Sequence, residues 1–186
     1  HEHDAIRGRI DAAFAIGPIL VAVGGAELFT ANNLMVMAWA DRRVHTREVL
    51  RAWSVVYVGN AESNEVIVLK LDRQSGDLTA VEKMPIPGIT KAGGSTPMAV
   101  SPDRRFLYAS LRSEPFSVAS FGIDRSTGAL KPQGTTALPD NMANIATDRT
   151  GRWLFAASYG GHKLSVSPIG PDGVVATNGL IQDALV

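Results

Sequence analysis

Few residues in this sequence have both the type and the setting for chemistry. Arg112 opens the polar stretch Arg112–Pro115 between two runs rich in β-forming residues. A guanidinium there can hold a phosphate through its planar fork, although a solvated loop arginine is the ordinary reading. His162 follows Gly160 and Gly161 in a short loop, where an imidazole can give or take a proton. Its ordinary reading is a solvated turn histidine. His1, Glu2, His3 and Asp4 are metal-ligating types in succession, but a terminal tetrapeptide rarely preorganises a site. No metal and no cofactor are expected. The glycine pairs at 24–25, 93–94 and 160–161 lack a following Gly-Lys-Ser/Thr, so none is a phosphate loop. Cysteine is absent, which excludes thiolate chemistry and disulfides. Eighteen basic residues balance eighteen acidic ones over 186 positions, so nucleic acid is not an expected partner.

The elements that carry Arg112 and His162 repeat. Tyr57, Tyr108 and Phe155 recur at steps of 51 and 47, and Asp72/Asp124 and Gly76/Gly128 at steps of 52. A second element, Pro97-Met-Ala-Val-Ser-Pro-Asp-Arg-Arg105, returns as Asn144-Ile-Ala-Thr-Asp-Arg-Thr-Gly-Arg152. Each reads as a short strand and a tight turn, structural rather than catalytic. The middle repeat predicts strands at Pro97–Val100, Phe106–Leu111, Phe116–Ile123 and Leu130–Thr136. A period near 50 with four short strands is one blade of a β-propeller, and the chain holds about two and a half. The fold expected for 54–186 is therefore mainly β, a partial propeller. Its ligand-facing loops are Asn60–Asn64, Gly93–Thr96, Arg112–Pro115, Asp140–Asn144 and Tyr159–His162.

Residues 1–53 have a different composition. Between Ala12 and Ala40 the one charged residue is Glu27, and Arg42, Arg43, Arg47 and Arg51 follow. The apolar run is interrupted by Gly24-Gly25, Thr30 and Asn32-Asn33. That pattern predicts a helical, membrane-derived segment with a broken span, and membrane association through residues 12–40. On this reading, removing residues 1–53 improves solubility.

Two resemblances follow from these motifs. Gly25-Ala-Glu-Leu-Phe-Thr30, Met35-Val-Met-Ala-Trp-Ala40 and Arg51-Ala-Trp-Ser-Val-Val-Tyr-Val-Gly-Asn60 make residues 14–60 resemble the formate/nitrite transporter family. The resemblance implies an inner-membrane anion channel in which Leu28 and Phe29 narrow the pore and Thr30 offers a hydroxyl to the anion. Val56-Tyr-Val-Gly59, Ile67-Val-Leu-Lys-Leu-Asp72 with Gly76-Asp-Leu78, Pro97-Met-Ala-Val-Ser-Pro-Asp103 and Ala157-Ser-Tyr-Gly-Gly161 resemble the lactonase family of seven-bladed propellers, whose bacterial members are 6-phosphogluconolactonases. This second resemblance implies a cytoplasmic carboxylic ester hydrolase of the pentose phosphate pathway. Its substrate is a phosphorylated sugar lactone, and its catalytic His, Arg and Glu fall after Val186. The chain itself is then expected to be inactive, with Arg112 and His162 as the substrate-binding candidates. Val55–Asn60 fits both families, so the expectation is a chimeric or misjoined pair of fragments. A non-catalytic propeller scaffold stays open, because fold does not fix function.

Overall fold

The structure, a computed structural model, describes residues 19–23, 34–39, 53–89, 91, 93–177 and 180–183. These form thirteen strands in three antiparallel sheets. The first sheet runs β1(Ile19–Val23), β2(Leu34–Trp39), β3(Trp53–Asn60), β4(Glu65–Asp72) and β5(Leu78–Pro85), in that order. The second is β6(Met98–Val100), β7(Phe106–Leu111), β8(Ser117–Ile123) and β9(Leu130–Ala137). The third is β10(Asn144–Thr147), β11(Trp153–Ser158), β12(Lys163–Pro168) and β13(Leu180–Asp183). The strands expected for the middle repeat agree to within one residue at every end. The repeat extends further than its sequence pattern did, because β13 gives the third sheet a fourth strand.

The helical expectation for the N-terminal segment is corrected where that segment is described. Ile19–Val23 and Leu34–Trp39 are strands, and β2 pairs with β3 from Leu34↔Asn60 to Trp39↔Val55. The physical reason is an open edge. β3 presents unpaired N–H and C=O groups, and a run holding Met35, Val36 and Trp39 satisfies them as readily as it would wind into a helix. Among the described residues no helix is long and apolar enough to cross a membrane. Leu28, Phe29 and Thr30 lie outside the described residues, and the division at 53/54 falls within β3.

The turns explain much of the repeat. Asp124 Oδ1 accepts the N–H groups of Ser126 (2.8 Å) and Thr127 (2.9 Å), and Gly128 closes the turn at φ 81°. Asp72 does the same for Gln74 and Ser75 ahead of Gly76. In the other recurrent turn, Asp148 Oδ1 accepts from Arg152 N (2.8 Å) and Trp153 N (3.0 Å). Ser101 Oγ takes that place one repeat earlier, accepting from Arg105 N (3.2 Å) and Phe106 N (3.0 Å). Hydroxyl and carboxylate are interchangeable there because the turn asks only for an acceptor. A register shift also recurs, between Val68 and Leu69 and again between Ser120 and Phe121. Such a bulge sharpens the twist toward the outermost strand.

The sheets bury their faces against one another. Val55, Tyr57, Val66 and Val68 of the first sheet meet Leu107, Ala109, Leu111, Phe121 and Ile123 of the second. Tyr108 and Val118 of the second meet Ile145, Leu154 and Ala156 of the third. Gly128 and Gly173 each dock on the preceding sheet. A Cβ on Gly128 would stand 2.5 Å from Val55, and one on Gly173 would stand 2.2 Å from the Phe106 ring. The third sheet has no following sheet among the described residues, and Trp153 and Phe155 are 42% and 38% exposed.

Candidate functional site

Antiparallel alternation puts the starts of β6 and β10 and the ends of β7 and β11 at one end of the stacked sheets. The loops there carry the candidate residues. Arg112 follows Leu111, the last residue of β7, and is half-buried. Its Nη1 donates to Ser95 Oγ at 2.8 Å and its Nε donates to Asn141 Oδ1 at 2.7 Å. The guanidinium carbon sits 5.9 Å from the centre of the Tyr159 ring, a cation–π distance. Gly93 lets the chain pass close by, since a Cβ there would lie 3.2 Å from the Arg112 carbonyl carbon. Loops from three stretches thus hold one arginine.

Both of the resolved side-chain acceptors are neutral, and among the described residues no ion pair involves Arg112. Among the described residues the fork is therefore oriented but its charge is not cancelled by contact, which suits it to an anion.

Asp140 is the carboxylate next to the Arg112 partner Asn141, and it is committed elsewhere. Its Oδ2 accepts from Lys163 Nζ at 3.0 Å, and its Oδ1 accepts from Ser158 Oγ at 3.0 Å and from Asn141 N at 2.6 Å. These bonds, Lys163 first, hold the carboxyl below the usual carboxylate range. A Cβ at Gly161 would fall 2.0 Å from Asp140 Oδ2, so the hairpin reaches this carboxylate only with glycine there. Ser158 is buried and its hydroxyl also accepts from Gly161 N at 3.0 Å. That hydroxyl donates to a carboxylate and accepts from an amide, which is the state of a structural serine rather than of a nucleophile.

His162 ends the same hairpin with φ 52° and an exposed side chain. Among the described residues it makes no hydrogen bond or ion pair. The two sequence candidates therefore fare differently: Arg112 lies at the centre of a cluster, and His162 lies at a solvated turn beside it. In the sequence Asp140, Asn141 and Tyr159 stand out only as loop members and Ser158 only within a motif, and Lys163 does not stand out. Their signal was weak, because Ser95, Asn141 and Tyr159 stand far from Arg112 in sequence. The cluster can bind and orient an anion. It contains no paired nucleophile and base.

Antiparallel sheets of five, four and four strands, stacked face to face with Gly128 and Gly173 pinning the second and third to the one before, are the arrangement of propeller blades. The chain belongs to the family described as Lactonase, 7-bladed beta-propeller, which matches residues 55–183. The 6-phosphogluconolactonase of Pectobacterium carotovorum is 41% identical over 121 residues, covering 65% of this chain and 34% of that protein. The chain thus spans about a third of the length of the curated relatives it matches. Two solved structures share the fold. A candidate 6-phosphogluconolactonase of Bacteroides uniformis has a TM-score of 0.63 at 18% identity, covering 90% of this chain and 52% of its own. The periplasmic gluconolactonase of Pseudomonas aeruginosa has a TM-score of 0.64 at 21% identity, covering 70% and 37%. The formate/nitrite transporter family also matches, over residues 7–84. The two matches overlap at 55–84, around the Val55–Asn60 string that fits both.

Proposed function

We propose that this chain supplies blades of a 6-phosphogluconolactonase, an enzyme that opens a phosphorylated sugar lactone to the sugar acid. Its identity to the Pectobacterium carotovorum 6-phosphogluconolactonase carries the reading. In the reaction, water adds to the lactone carbonyl and the ring C–O bond breaks. The carbonyl carbon becomes a carboxyl group, and the released ring oxygen takes a proton. Arg112 holds the substrate phosphate, through the part of its fork not engaged by Ser95 and Asn141. Tyr159, 75% exposed and over the guanidinium, offers a flat apolar surface to the sugar beside that phosphate. His162 is close enough in sequence to meet the same ligand, as a solvated contact. The proton-transfer residues belong to other blades, so this chain alone binds without turning over. The setting is cytoplasmic, with no metal or cofactor.

The test is calorimetric titration of the chain with 6-phosphogluconate and with gluconate. Binding of the phosphorylated acid alone, lost in Arg112→Gln, supports the reading; equal binding of both acids sinks it. A channel reading for residues 7–84 draws on the transporter-family match. Against it stands the pairing of Leu34–Trp39 as a strand of the first sheet. A purified chain that stays dissolved without detergent removes the channel reading.

A further inference from the structure

We infer that Asp140 is a positioning residue for the Arg112 anion site, acting through Asn141. The inference rests on the reading of Arg112 as an anion contact, and the ligand class is a phosphate or carboxylate.

A carboxylate one residue from a guanidinium's partner ordinarily competes for the guanidinium. It would form a bidentate pair and occupy the place an anionic ligand needs. Here that outcome is prevented twice. Lys163 reaches across the β11–β12 hairpin and takes Asp140 Oδ2 at 3.0 Å. Ser158, itself buried, takes Oδ1 at 3.0 Å. The Asp140 side chain is left 18% exposed, and its remaining bond on Oδ1 goes to the backbone N–H of Asn141 at 2.6 Å. That bond fixes the peptide from which the Asn141 side chain departs. Asn141 then presents a neutral amide oxygen to Arg112 Nε at 2.7 Å. The negative charge is spent on Lys163, and its geometric effect is relayed to Arg112 without its electrostatic effect. Gly161 is part of the device, because any side chain there would displace the carboxylate.

The experiment uses the full chain, with inorganic phosphate as the probe. Nitrogen NMR follows exchange of the Arg112 Nε–H, and titration gives the phosphate Kd. Asp140→Ala is expected to speed Nε–H exchange toward that of a solvated arginine. It is also expected to raise the phosphate Kd about tenfold, the size of one lost charge-assisted hydrogen bond. Asn141→Ala should do the same, and the double variant should be no worse than Asn141→Ala alone. Unchanged Nε–H exchange in Asp140→Ala overturns the inference, as do additive effects in the double variant. If phosphate binding is absent, or survives Arg112→Gln, the anion-site reading fails, while Nε–H exchange still decides whether Asp140 positions the arginine. Should Asp140→Ala not fold, Ser158→Ala removes one donor to the same carboxylate. It is expected to speed exchange in the same direction, and no change there overturns the inference.

Discussion

The Tyr57 hydroxyl, on the first sheet, donates to the Gly128 carbonyl in the second sheet's hairpin turn at 2.7 Å. The residues are 71 apart in sequence, and the bond is buried. It joins two sheets at the place where the turn glycine lies against Val55. Burial first, and then the charges of Glu82 and Asp124, push the phenol well above its usual range, so the hydroxyl stays a donor. Tyr108 stands at the equivalent place one repeat later, buried, and its hydroxyl has no hydrogen-bond partner among the described residues.

The two tyrosines therefore respond differently to loss of the hydroxyl. Tyr57→Phe leaves a buried carbonyl short of a partner and is expected to cost about 1–2 kcal/mol. Tyr108→Phe removes an unsatisfied polar atom and is expected to be neutral or slightly stabilising. Urea denaturation of both variants checks this, and equal losses would contradict it.

Gly128→Ala is expected to cost more than an ordinary surface change, by about 2 kcal/mol or more. It places a Cβ at φ 81° and within 2.5 Å of Val55. Gly161→Ala meets the Asp140 carboxylate instead, so its main effect should be weaker phosphate binding with a smaller shift in Tm. Measuring Tm and phosphate Kd for both variants separates sheet docking from site geometry.

Acid should weaken the aspartate-closed turns. Thr150, with the backbone N–H groups behind it, holds the Asp148 carboxyl at about 2, and Ser126 and Thr127 hold Asp124 at about 2. Both values are depressed from 3.8, so their stabilising contribution is complete above that pH. It is lost as the pH falls through about 2. Urea midpoints measured from pH 5 to pH 2 should decline less steeply in Asp124→Asn and Asp148→Asn than in the parent chain. Parallel curves would show that the turns do not carry the acid sensitivity.

The pairing of β2 with β3 reverses an expectation about truncation. Composition alone suggested that removing residues 1–53 improves solubility. With Leu34–Trp39 covering the edge of β3, removing residues 1–52 exposes a row of unpaired backbone groups from Trp53 to Asn60. The truncated chain is expected to be less soluble in a paired expression trial. Better solubility would show that the apolar strands, rather than the bare edge, drive association.

Much of the β architecture could be read from spacing, because each blade is built from local rules. Asp124, Asp148 and Ser101 act within five residues of themselves, so their roles appear in a short window of sequence. The apolar N-terminal run was ambiguous for a physical reason. A segment such as Leu34–Trp39 has no strict period, and the open edge of another strand decides what it becomes. The site was harder still. Arg112 could be named as a cation in a loop, but its partners lie 17 and 29 residues away. Asp140 looked like any turn aspartate, and nothing in the line of residues says that Lys163 removes its charge from competition.

The docking of Gly128 and Gly173 on the preceding sheets bears on how such a chain can lengthen. The peg, Gly128 or Gly173, and the socket, Val55 or Phe106, are both written into the same repeated unit. A tandem copy of one unit arrives already shaped to receive its neighbour on one side and to fit into its neighbour on the other. Growth by duplication then needs no new interface, and later divergence can be confined to the loops that hold Arg112 and its partners.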